Sequence, residues 1–371
     1  MKIGFMANYF YPATGGMEEL TFNIAKELKK RGHEIHIFTS DRKENNIFKK
    51  EETIDGIYFH RSRLFFKYKY YLKFNPGLSF KHLKYNLDVL HVQSIGFPFQ
   101  DLAVLLRRIF TKTKLINTPH GPFMALDTYP WWQKVLRDIY RTLEYPINLL
   151  YHKSVQVNPT QYQWMNKFGL KNIKFIPNSI PESIFKRVKP QITNKFIISY
   201  LGRVQKYKGM DQVIRVLPDL IKIQPNIQFL IMGNEVDNEI NRLTNIAKEL
   251  GVENHIKFTG RVGETERLQY LDLTEIFILP SEWEAFGIVL IEAMARSCAL
   301  VSTKTEGGSF LISEKEGFLY DYKNLEQLKQ ALTKLIKNTE LREQIKEHNK
   351  EKAKQYLVSN VVKDFEKLYL K

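Results

Sequence analysis

Cysteine is scarce in this chain of 371 residues, since Cys298 is the only one. One thiol excludes a framework of internal disulfides and is typical of a reducing compartment, so we expect a cytoplasmic protein. Long apolar runs are also lacking, because no uncharged stretch approaches the roughly 18 residues that a membrane-spanning helix needs. Met1 and Lys2 lead into a strand-like segment, residues 3–6, and not into a signal peptide. We therefore expect a protein that is soluble or lies on a surface.

Acidic residues are absent from residues 60–85, which hold seven Lys or Arg and eight Phe or Tyr. Cations interleaved with aromatic rings are typical of segments at the headgroups of an anionic bilayer. A solvated basic loop is nearly as good an interpretation, and single-stranded nucleic acid is a weaker one that we do not favour. A second aromatic and basic stretch begins near residue 129. The expected membrane contacts are Arg61, Arg63, Phe65, Phe66, Lys67, Lys69, Trp131 and Trp132.

The net charge of +16 is distributed unevenly along the chain. Residues 1–190 hold 30 Lys and Arg against 15 Asp and Glu, and residues 191–371 hold 26 against 25, so the two parts carry +15 and +1. A proteome rich in lysine would raise the charge of both parts equally. The excess in the first part instead predicts a large anionic partner, such as nucleic acid or a lipid surface, the latter at the inner face of the cell membrane.

The length exceeds what one ordinary hydrophobic core fills, which favours two domains. Strand patterns alternate with helix patterns in both halves, and this alternation predicts an α/β fold with doubly wound parallel sheets. Residues 183–194 are the best linker candidate. We predict an N-terminal domain over 1–187 and a C-terminal domain over 188–371, with a last helix that returns towards the first domain.

Two loops of the N-terminal half are candidates for ligand binding. Gly15 and Gly16 lie between a strand and a helix of about residues 17–31, where a ligand can approach the backbone. His120 follows a strand over residues 114–118 and lies on a stiff loop between two prolines. Either loop could also be an ordinary turn, so neither is specific alone.

A basic loop opens the C-terminal half. The strand over residues 196–201 runs into Gly202, and Gly209 closes the loop that follows. Between these glycines lie Arg203, Lys206 and Lys208, an arrangement that favours a diphosphate held by cations and backbone N–H groups. Solvated surface charge is the alternative.

Two acids flank the start of an apolar helix later in the chain. Glu284 lies before the helix, which begins near Phe286 or Gly287, and Glu292 lies inside it with seven residues between the two acids. A carboxylate in such a helix needs a ligand, a basic partner or a lowered charge. Loop and first turn also offer backbone N–H groups to anions or sugar hydroxyls. A capping acid and an ion-paired helix acid remain the plainer interpretation.

These features together resemble the retaining GT-B glycosyltransferases of family 4, over the whole chain. The residues that carry the resemblance are Gly15, Gly16, His120, Gly202, Arg203, Lys208, Gly209, Glu284 and Glu292. The resemblance implies two Rossmann-like domains that face each other across a cleft, with the acceptor bound by the first and a nucleotide-sugar donor by the second.

The resemblance also implies roles for single residues. Arg203 and Lys208 would hold the donor diphosphate, Glu284 the sugar hydroxyls and Glu292 the ribose. Phe286, Gly287 and Ile288 would offer backbone N–H groups, Gly15 and Gly16 would line the donor phosphates and the acceptor, and His120 would contact the transferred sugar.

Transfer in this family retains the anomeric configuration and requires no protein nucleophile. The chain lacks the Asp-x-Asp motif that binds a metal with diphosphate in the other major transferase fold, so we expect neither a metal nor another cofactor. The expected acceptor is a lipid-linked sugar at the membrane.

One turn departs from the family pattern, because Glu306 precedes Gly307 and Gly308 where negative charge would lie near phosphates. Two other classes of protein remain open. A nucleotide-sugar epimerase of GT-B fold would need the donor pocket only, and a non-catalytic membrane-binding protein would need the basic aromatic stretch only. The sequence names neither the sugar, nor the base, nor the acceptor.

Overall fold

The computed structural model describes residues 1–12, 15–43, 46–68, 72–121, 130–189 and 192–370. The chain divides into two compact units. The first unit comprises Met1–Ser179 and Val358–Lys371, and the second comprises Ile180–Leu357. The boundary expected from the sequence, between 187 and 188, therefore lies inside the second unit.

The first unit contains a twisted, mainly parallel sheet. Its strands are β1 Lys2–Met6, β2 Glu34–Ser40, β3 Arg42–Lys43, β4 Asn46–Ile47, β5 Glu51–Ile54, β6 Ile57–Ser62, β7 Phe66–Tyr68, β8 Leu72–Phe74, β9 Val89–Gln93, β10 Lys114–Thr118, β11 Lys153–Gln156 and β12 Ile173–Phe175. Among the described residues, eight of these strands form one sheet in the order β12-β11-β10-β9-β1-β2-β6-β5, and only the β5–β6 pair in it is antiparallel. β3 pairs with β4 and β7 with β8 in two small antiparallel ribbons.

Helices connect these strands, as the apolar periodicity predicts. They are α1 Gly16–Lys30, α2 Pro76–Lys81, α3 Pro98–Phe110, α4 Trp131–Asn148 and α5 Tyr162–Lys167. Ile3 and Phe5 of β1 are fully buried, and so are Val92 of β9 and Leu115 of β10. The central strands are thus covered on both faces, which is usual for parallel strands with crossover helices.

The second unit is a six-stranded parallel sheet in its described part. Its strands are β13 Phe196–Leu201, β14 Ile227–Met232, β15 Ile256–Gly260, β16 Thr274–Leu279, β17 Ala299–Thr303 and β18 Gly317–Tyr320, in the order β15-β14-β13-β16-β17-β18. Its helices are α6 Met210–Ile223, α7 Glu239–Glu249, α8 Glu264–Asp272, α9 Ile288–Ala295, α10 Glu306–Leu311, α11 Leu325–Lys337 and α12 Thr339–Ala353. The predicted α/β class with doubly wound parallel sheets is confirmed.

The last helix, α13 Val358–Leu370, belongs to the first unit. Glu366 of α13 accepts a hydrogen bond of 3.0 Å from Arg31 at the end of α1. The Tyr369 hydroxyl lies 2.7 Å from Nδ1 of His91 in β9, and the Tyr369 carbonyl accepts from Lys114 of β10 at 2.7 Å. Buried polar contacts and apolar packing therefore fix α13 on the sheet of the first unit.

The strand order locates the ligand-binding edge of each sheet. In the second unit the order reverses between β13 and β16, so the loops after these two strands lie side by side at their carboxyl ends. In the first unit β1 lies between β9 and β2, which places the loops after these three strands together.

Candidate active site

The loop after β13 is positioned by two glycines that allow close backbone contact. A side chain on Gly233 would lie 1.7 Å from the carbonyl oxygen of Gly202, and Gly233 has a φ of +144°. Gly202 donates its N–H to the Met232 carbonyl at 2.9 Å, and Val204 donates to Asn234 at 2.8 Å. The loops after β13 and β14 therefore pack against each other and fix the start of the basic loop.

Arg203 is exposed at the start of this loop, while its backbone is anchored. Its carbonyl accepts a hydrogen bond of 2.8 Å from the buried Tyr200 hydroxyl, and its guanidinium donates to the Tyr207 hydroxyl at 3.2 Å. One end of Arg203 is thus fixed to the sheet and the other is available to solvent. A guanidinium in this setting can bind an anion with two of its N–H groups.

Lys208 lies in a 3-10 turn, Lys206–Lys208, that Gly209 ends in the left-handed conformation with a φ of +69°. A side chain on Gly209 would lie 2.2 Å from the Pro280 carbonyl at the end of β16. The backbone of Tyr207 also accepts from the N–H of Glu282 at 2.8 Å. These contacts bring the loop after β13 directly against the loop after β16.

An ion pair between Lys208 and Glu284 results from this packing. The exposed fraction of the two side chains is 12% and 16%, and the Ser281 hydroxyl donates to the same carboxylate at 3.2 Å. Burial alone would lower the pKa of Lys208, but the neighbouring Glu284 outweighs it and holds that pKa above its usual value. Lys208 therefore stays cationic at neutral pH in a nearly closed position.

Glu284 is followed by a loop that ends in the free N-terminus of α9. Phe286 is buried against the rings of Phe310 and Tyr356, at 5.9 and 6.1 Å between centroids. Gly287 adopts a φ of +80°, and no described side chain caps α9. Leu290 donates its N–H to the Gly287 carbonyl at 2.8 Å, so the N–H groups of Ile288 and Val289 are those that the first turn offers to an anion or a hydroxyl.

Glu292 is the buried acid of α9, with an exposed fraction of 6%. Its carboxylate accepts a hydrogen bond from Arg267 of α8 at 3.2 Å. A ligand, a basic partner or a lowered charge could compensate a buried carboxylate, and the structure shows a basic partner. This pairing neither assigns nor excludes a ligand, because a carboxylate has further lone pairs to offer.

The candidate residues of the first unit lie at two of its strand ends. Gly16 is exposed at the start of α1, and a side chain built on it would meet nothing within 4 Å. His120 follows β10 in the left-handed region, with a φ of +61°, and its Nε2 lies 2.7 Å from the Gln93 amide oxygen. Burial lowers the pKa of His120 to about 4, so the imidazole is neutral at pH 7.

Gly15 precedes α1, where a side chain would lie 2.2 Å from a carboxylate oxygen of Glu18. Its carbonyl accepts the N–H of Glu19 at 2.9 Å. The contact is with the mobile end of the Glu18 side chain, and the φ of Gly15 is an extended 173°, so the local structure does not by itself require glycine at this position.

Arg61 was expected at the membrane, and the structure corrects this. Arg61 is 1% exposed, because β6 lies between β2 and β5 and its guanidinium stacks over the Phe59 ring at 4.7 Å. The guanidinium also pairs with Glu52 at 2.7 Å. A buried, paired guanidinium cannot reach a bilayer, so Arg61 is a structural residue.

Most of the other expected membrane contacts are exposed, unlike Arg61. Arg63, Phe65, Phe66 and Lys67 are exposed at or before β7, and Trp131 and Trp132 are exposed at the start of α4. Lys69 lies outside the described residues. No helix in the described ranges is long and apolar enough to cross a membrane.

Several residues of the site were not predicted from the sequence. Ser281, Tyr207 and Arg267 act through contacts between loops or helices distant in sequence, which no local pattern reveals. The turn at Glu306 is a further case, because Gly307 donates its N–H to the Glu284 carbonyl at 3.0 Å. A side chain on Gly307 would lie 2.3 Å from the Phe286 carbonyl, so this glycine is needed to support the acidic loop.

Known proteins place the chain in a family. Residues 182–352 match the family described as glycosyl transferases group 1, and residues 14–183 match the family described as glycosyltransferase family 4. An uncharacterized glycosyltransferase of Haemophilus influenzae is 28% identical over 381 residues, which cover 98% of each chain. Among solved structures, sucrose-phosphate synthase from Thermosynechococcus elongatus has a TM-score of 0.84 at 16% identity and covers 99% of this chain and 98% of its own. Anabaena HepE in complex with UDP-glucose has a TM-score of 0.75 at 16% identity and covers 99% of both chains. The protein therefore belongs to the GT-B glycosyltransferases of family 4 and is a glycosyltransferase.

Proposed function

We propose that the protein transfers a sugar from a nucleoside-diphosphate sugar to an acceptor hydroxyl, with retention of the anomeric configuration. The observation that carries this proposal is the contact of Lys208 with Glu284, beside Arg203 and the open N-terminus of α9. Cations suit a diphosphate, and a carboxylate suits sugar hydroxyls. HepE, which shares the fold, has been solved with UDP-glucose, so UDP-sugars are the first donors to test.

In this proposal the donor replaces one partner of the ion pair. The diphosphate binds Lys208 and Arg203, and the carboxylate of Glu284 then accepts hydrogen bonds from the donor sugar. Charge grows on the departing diphosphate in the transition state, so fixed cations stabilise it more than the ground state. The ribose hydroxyls donate to Glu292, which Arg267 holds in place.

Retention is proposed to occur by attack on the face of the sugar from which the diphosphate departs. The acceptor oxygen forms a bond to the anomeric carbon while the bond from that carbon to the phosphate oxygen breaks. A donor phosphate oxygen takes the acceptor proton, so the atoms balance without a protein nucleophile. His120 is proposed to contact the sugar as a neutral imidazole, and the cations are proposed to make a metal unnecessary.

The acceptor is proposed to be a lipid-linked sugar at the inner face of the cell membrane. Support comes from α4, which exposes apolar side chains at helical spacing, namely Trp131, Trp132, Val135, Leu136, Ile139 and Leu143. Lys134, Arg137 and Arg141 lie on the same helix. An apolar stripe with Trp at one end and cations beside it is typical of helices that lie in a bilayer interface.

A donor screen tests the proposed function. The protein is incubated with UDP-glucose and other nucleotide sugars, with and without a lipid-linked acceptor, and released nucleoside diphosphate is measured. Release that depends on the acceptor, with an α-linked product from an α-linked donor by NMR, supports the proposal. Sugar interconversion without an acceptor indicates an epimerase, and no turnover of any donor indicates a binding protein. Loss of turnover in EDTA that magnesium or manganese restores would show that a metal is required.

A further inference from the structure

Lys43, Lys67 and Lys73 form a cluster in the first unit, and two of them lie over the ring of Tyr9. Nζ of Lys73 lies 4.8 Å from the centre of the Tyr9 ring and 4.3 Å from that of Phe97, and Nζ of Lys43 lies 5.3 Å from the Tyr9 ring. Lys73 is only 5% exposed, so its ammonium group lies in a largely desolvated position against two aromatic faces.

A third lysine lies opposite Lys73. The β7–β8 ribbon pairs Lys67 directly with Lys73, so both side chains leave the same face of the ribbon. Like charges directly opposite each other destabilise a strand pair. Lys43 forms an ion pair with Glu18 at 2.9 Å, so the carboxylate of Glu18 offsets part of the positive charge of the three lysines.

The pKa of Lys73 also indicates repulsion between the lysines of the cluster. Burial, together with repulsion from Lys43 and Lys67, lowers the pKa of Lys73 to about 8, and Glu18 opposes this shift. An anion placed among the three ammonium groups would relieve the repulsion.

The position of the cluster in the fold is that of a ligand site. Tyr9 follows β1, Phe97 follows β9, and Lys43 lies in β3 just after β2. β9, β1 and β2 are neighbours, and the order of the sheet reverses there. Asn8, 7% exposed, also carries an amide nitrogen with no hydrogen-bond partner among the described residues.

We propose that Lys43 and Lys73 beside Tyr9, together with Lys67 opposite Lys73 on the β7–β8 ribbon, form a binding site for a phosphate group of the acceptor. Three ammonium groups supply the charge that a phosphate monoester or diphosphate requires, and the Asn8 amide is a further donor nearby in sequence. The assignment of this phosphate to the acceptor rests on the proposed function, whereas phosphate binding itself does not.

Calorimetry with inorganic pyrophosphate tests the site. The protein is first saturated with UDP, or with the nucleoside diphosphate that the donor screen selects, so that Arg203 and Lys208 are occupied. Pyrophosphate should still bind, and Lys67→Met and Lys73→Met should each weaken it about tenfold or more. Lys167→Met, an exposed lysine at the end of α5, is the matched control and should leave the affinity within about twofold.

Each outcome decides between alternatives. Equal pyrophosphate affinity in wild type and both variants, or none in saturated wild type, overturns the site. If the variants weaken nucleoside diphosphate as much as pyrophosphate, the phosphate belongs to the donor and the acceptor assignment is wrong. If the wild type binds no nucleoside diphosphate, the proposed function fails, and pyrophosphate binding to the free protein still decides the site. Lys67 is exposed, so its variant gives an answer even if Lys73→Met does not fold.

Discussion

Glu292, paired with Arg267, illustrates how a proposed binding residue can also be a structural one. Both side chains are nearly buried, so removing either charge breaks a buried ion pair, at about 3–5 kcal/mol. An alanine variant of Glu292 would therefore mix lost stability with lost binding. Glutamine keeps an oxygen for Arg267 and removes only the charge, so it is the better probe of donor binding.

We expect Glu292→Gln to weaken nucleoside diphosphate binding by about 1–3 kcal/mol, because ribose hydroxyls lose a charged acceptor. Calorimetry measures the affinity, and thermal melting confirms that the variant is folded. An unchanged affinity in a folded Glu292→Gln protein would show that Glu292 serves only as the partner of Arg267.

The contributions of the cations in the loop after β13 to turnover can be compared by single substitutions. Arg203→Met and Lys208→Met should each lower kcat by roughly 10²-fold or more, because both remove positive charge from the departing diphosphate. Lys206→Met is the matched control, since Lys206 is exposed in the same 3-10 turn and is not assigned to the donor. Steady-state kinetics with saturating donor provide the measurement.

The control decides what a loss means. A similar loss in all three variants would indicate general electrostatic attraction and not specific contacts. If kcat is kept while KM rises, the cations bind ground state and transition state equally, and the proposed role of leaving-group stabilisation is wrong.

At the scale of elements, the sequence predicted those features that local pattern encodes. Apolar periodicity and glycine turns gave the strand after which Arg203 lies and the helix that holds Glu292. Contacts between loops were not predictable in this way. The support of Glu284 by Gly307 depends on packing between α10 and the loop after β16, which no local pattern around Glu306 encodes.

Helix α4 carries the clearest surface feature of the first unit. Trp131 is 77% exposed, and Leu136 and Ile139 are 49% and 54% exposed, so burying them in a bilayer removes much apolar area from water. We expect a variant with all three changed to Ser to lose binding to anionic vesicles by about 100-fold or more, at about 1.5–3 kcal/mol for each buried side chain. Vesicle sedimentation measures this binding.

Two controls accompany the vesicle experiment. Tyr162→Ser with Phe175→Ser removes exposed apolar residues of the same unit outside α4 and should leave binding unchanged. Arg63→Gln with Lys67→Gln should lower binding only moderately and mainly at low salt, at about 1 kcal/mol per cation. Equal binding to neutral vesicles, or none to either kind, would contradict the membrane proposal and favour a soluble acceptor.

At the scale of the whole molecule, the fold class followed from composition and alternation, but the burial of charge did not. Arg61 and Lys73 lie in the basic aromatic stretch, where both were counted as surface charge. Arg61 is buried against the rings of Phe48 and Phe59 and pairs with Glu52. Lys73 lies between the rings of Tyr9 and Phe97. Side chains from segments far along the chain determine which face of a strand they bury. Composition alone therefore cannot distinguish a segment that contacts a membrane from one that packs on the protein.

Buried histidines of the first unit predict how the stability of the molecule depends on pH. Burial lowers the pKa of His82 and His120 to about 4 and that of His91 to about 3, against about 6.5 in an unfolded chain. Between pH 6.5 and 5 the unfolded state therefore binds up to three more protons, and stability falls as the pH falls. Asp101 works the other way, because burial beside Glu144 raises its pKa and the folded state keeps a proton that the unfolded state has lost.

From the three histidines and Asp101 alone, the net expectation is fewer than three protons, or at most about 4 kcal/mol of unfolding free energy per pH unit in this window. Urea unfolding of the first unit, followed by hydrogen exchange in β1 and β9, measures the slope. His82→Gln should reduce it by up to one proton, and Asp101→Asn should increase it, because each removes one of the opposing contributions. The two variants are thus expected to shift the slope in opposite directions. A slope that stays the same in both variants would show that these groups titrate alike in the folded and unfolded states.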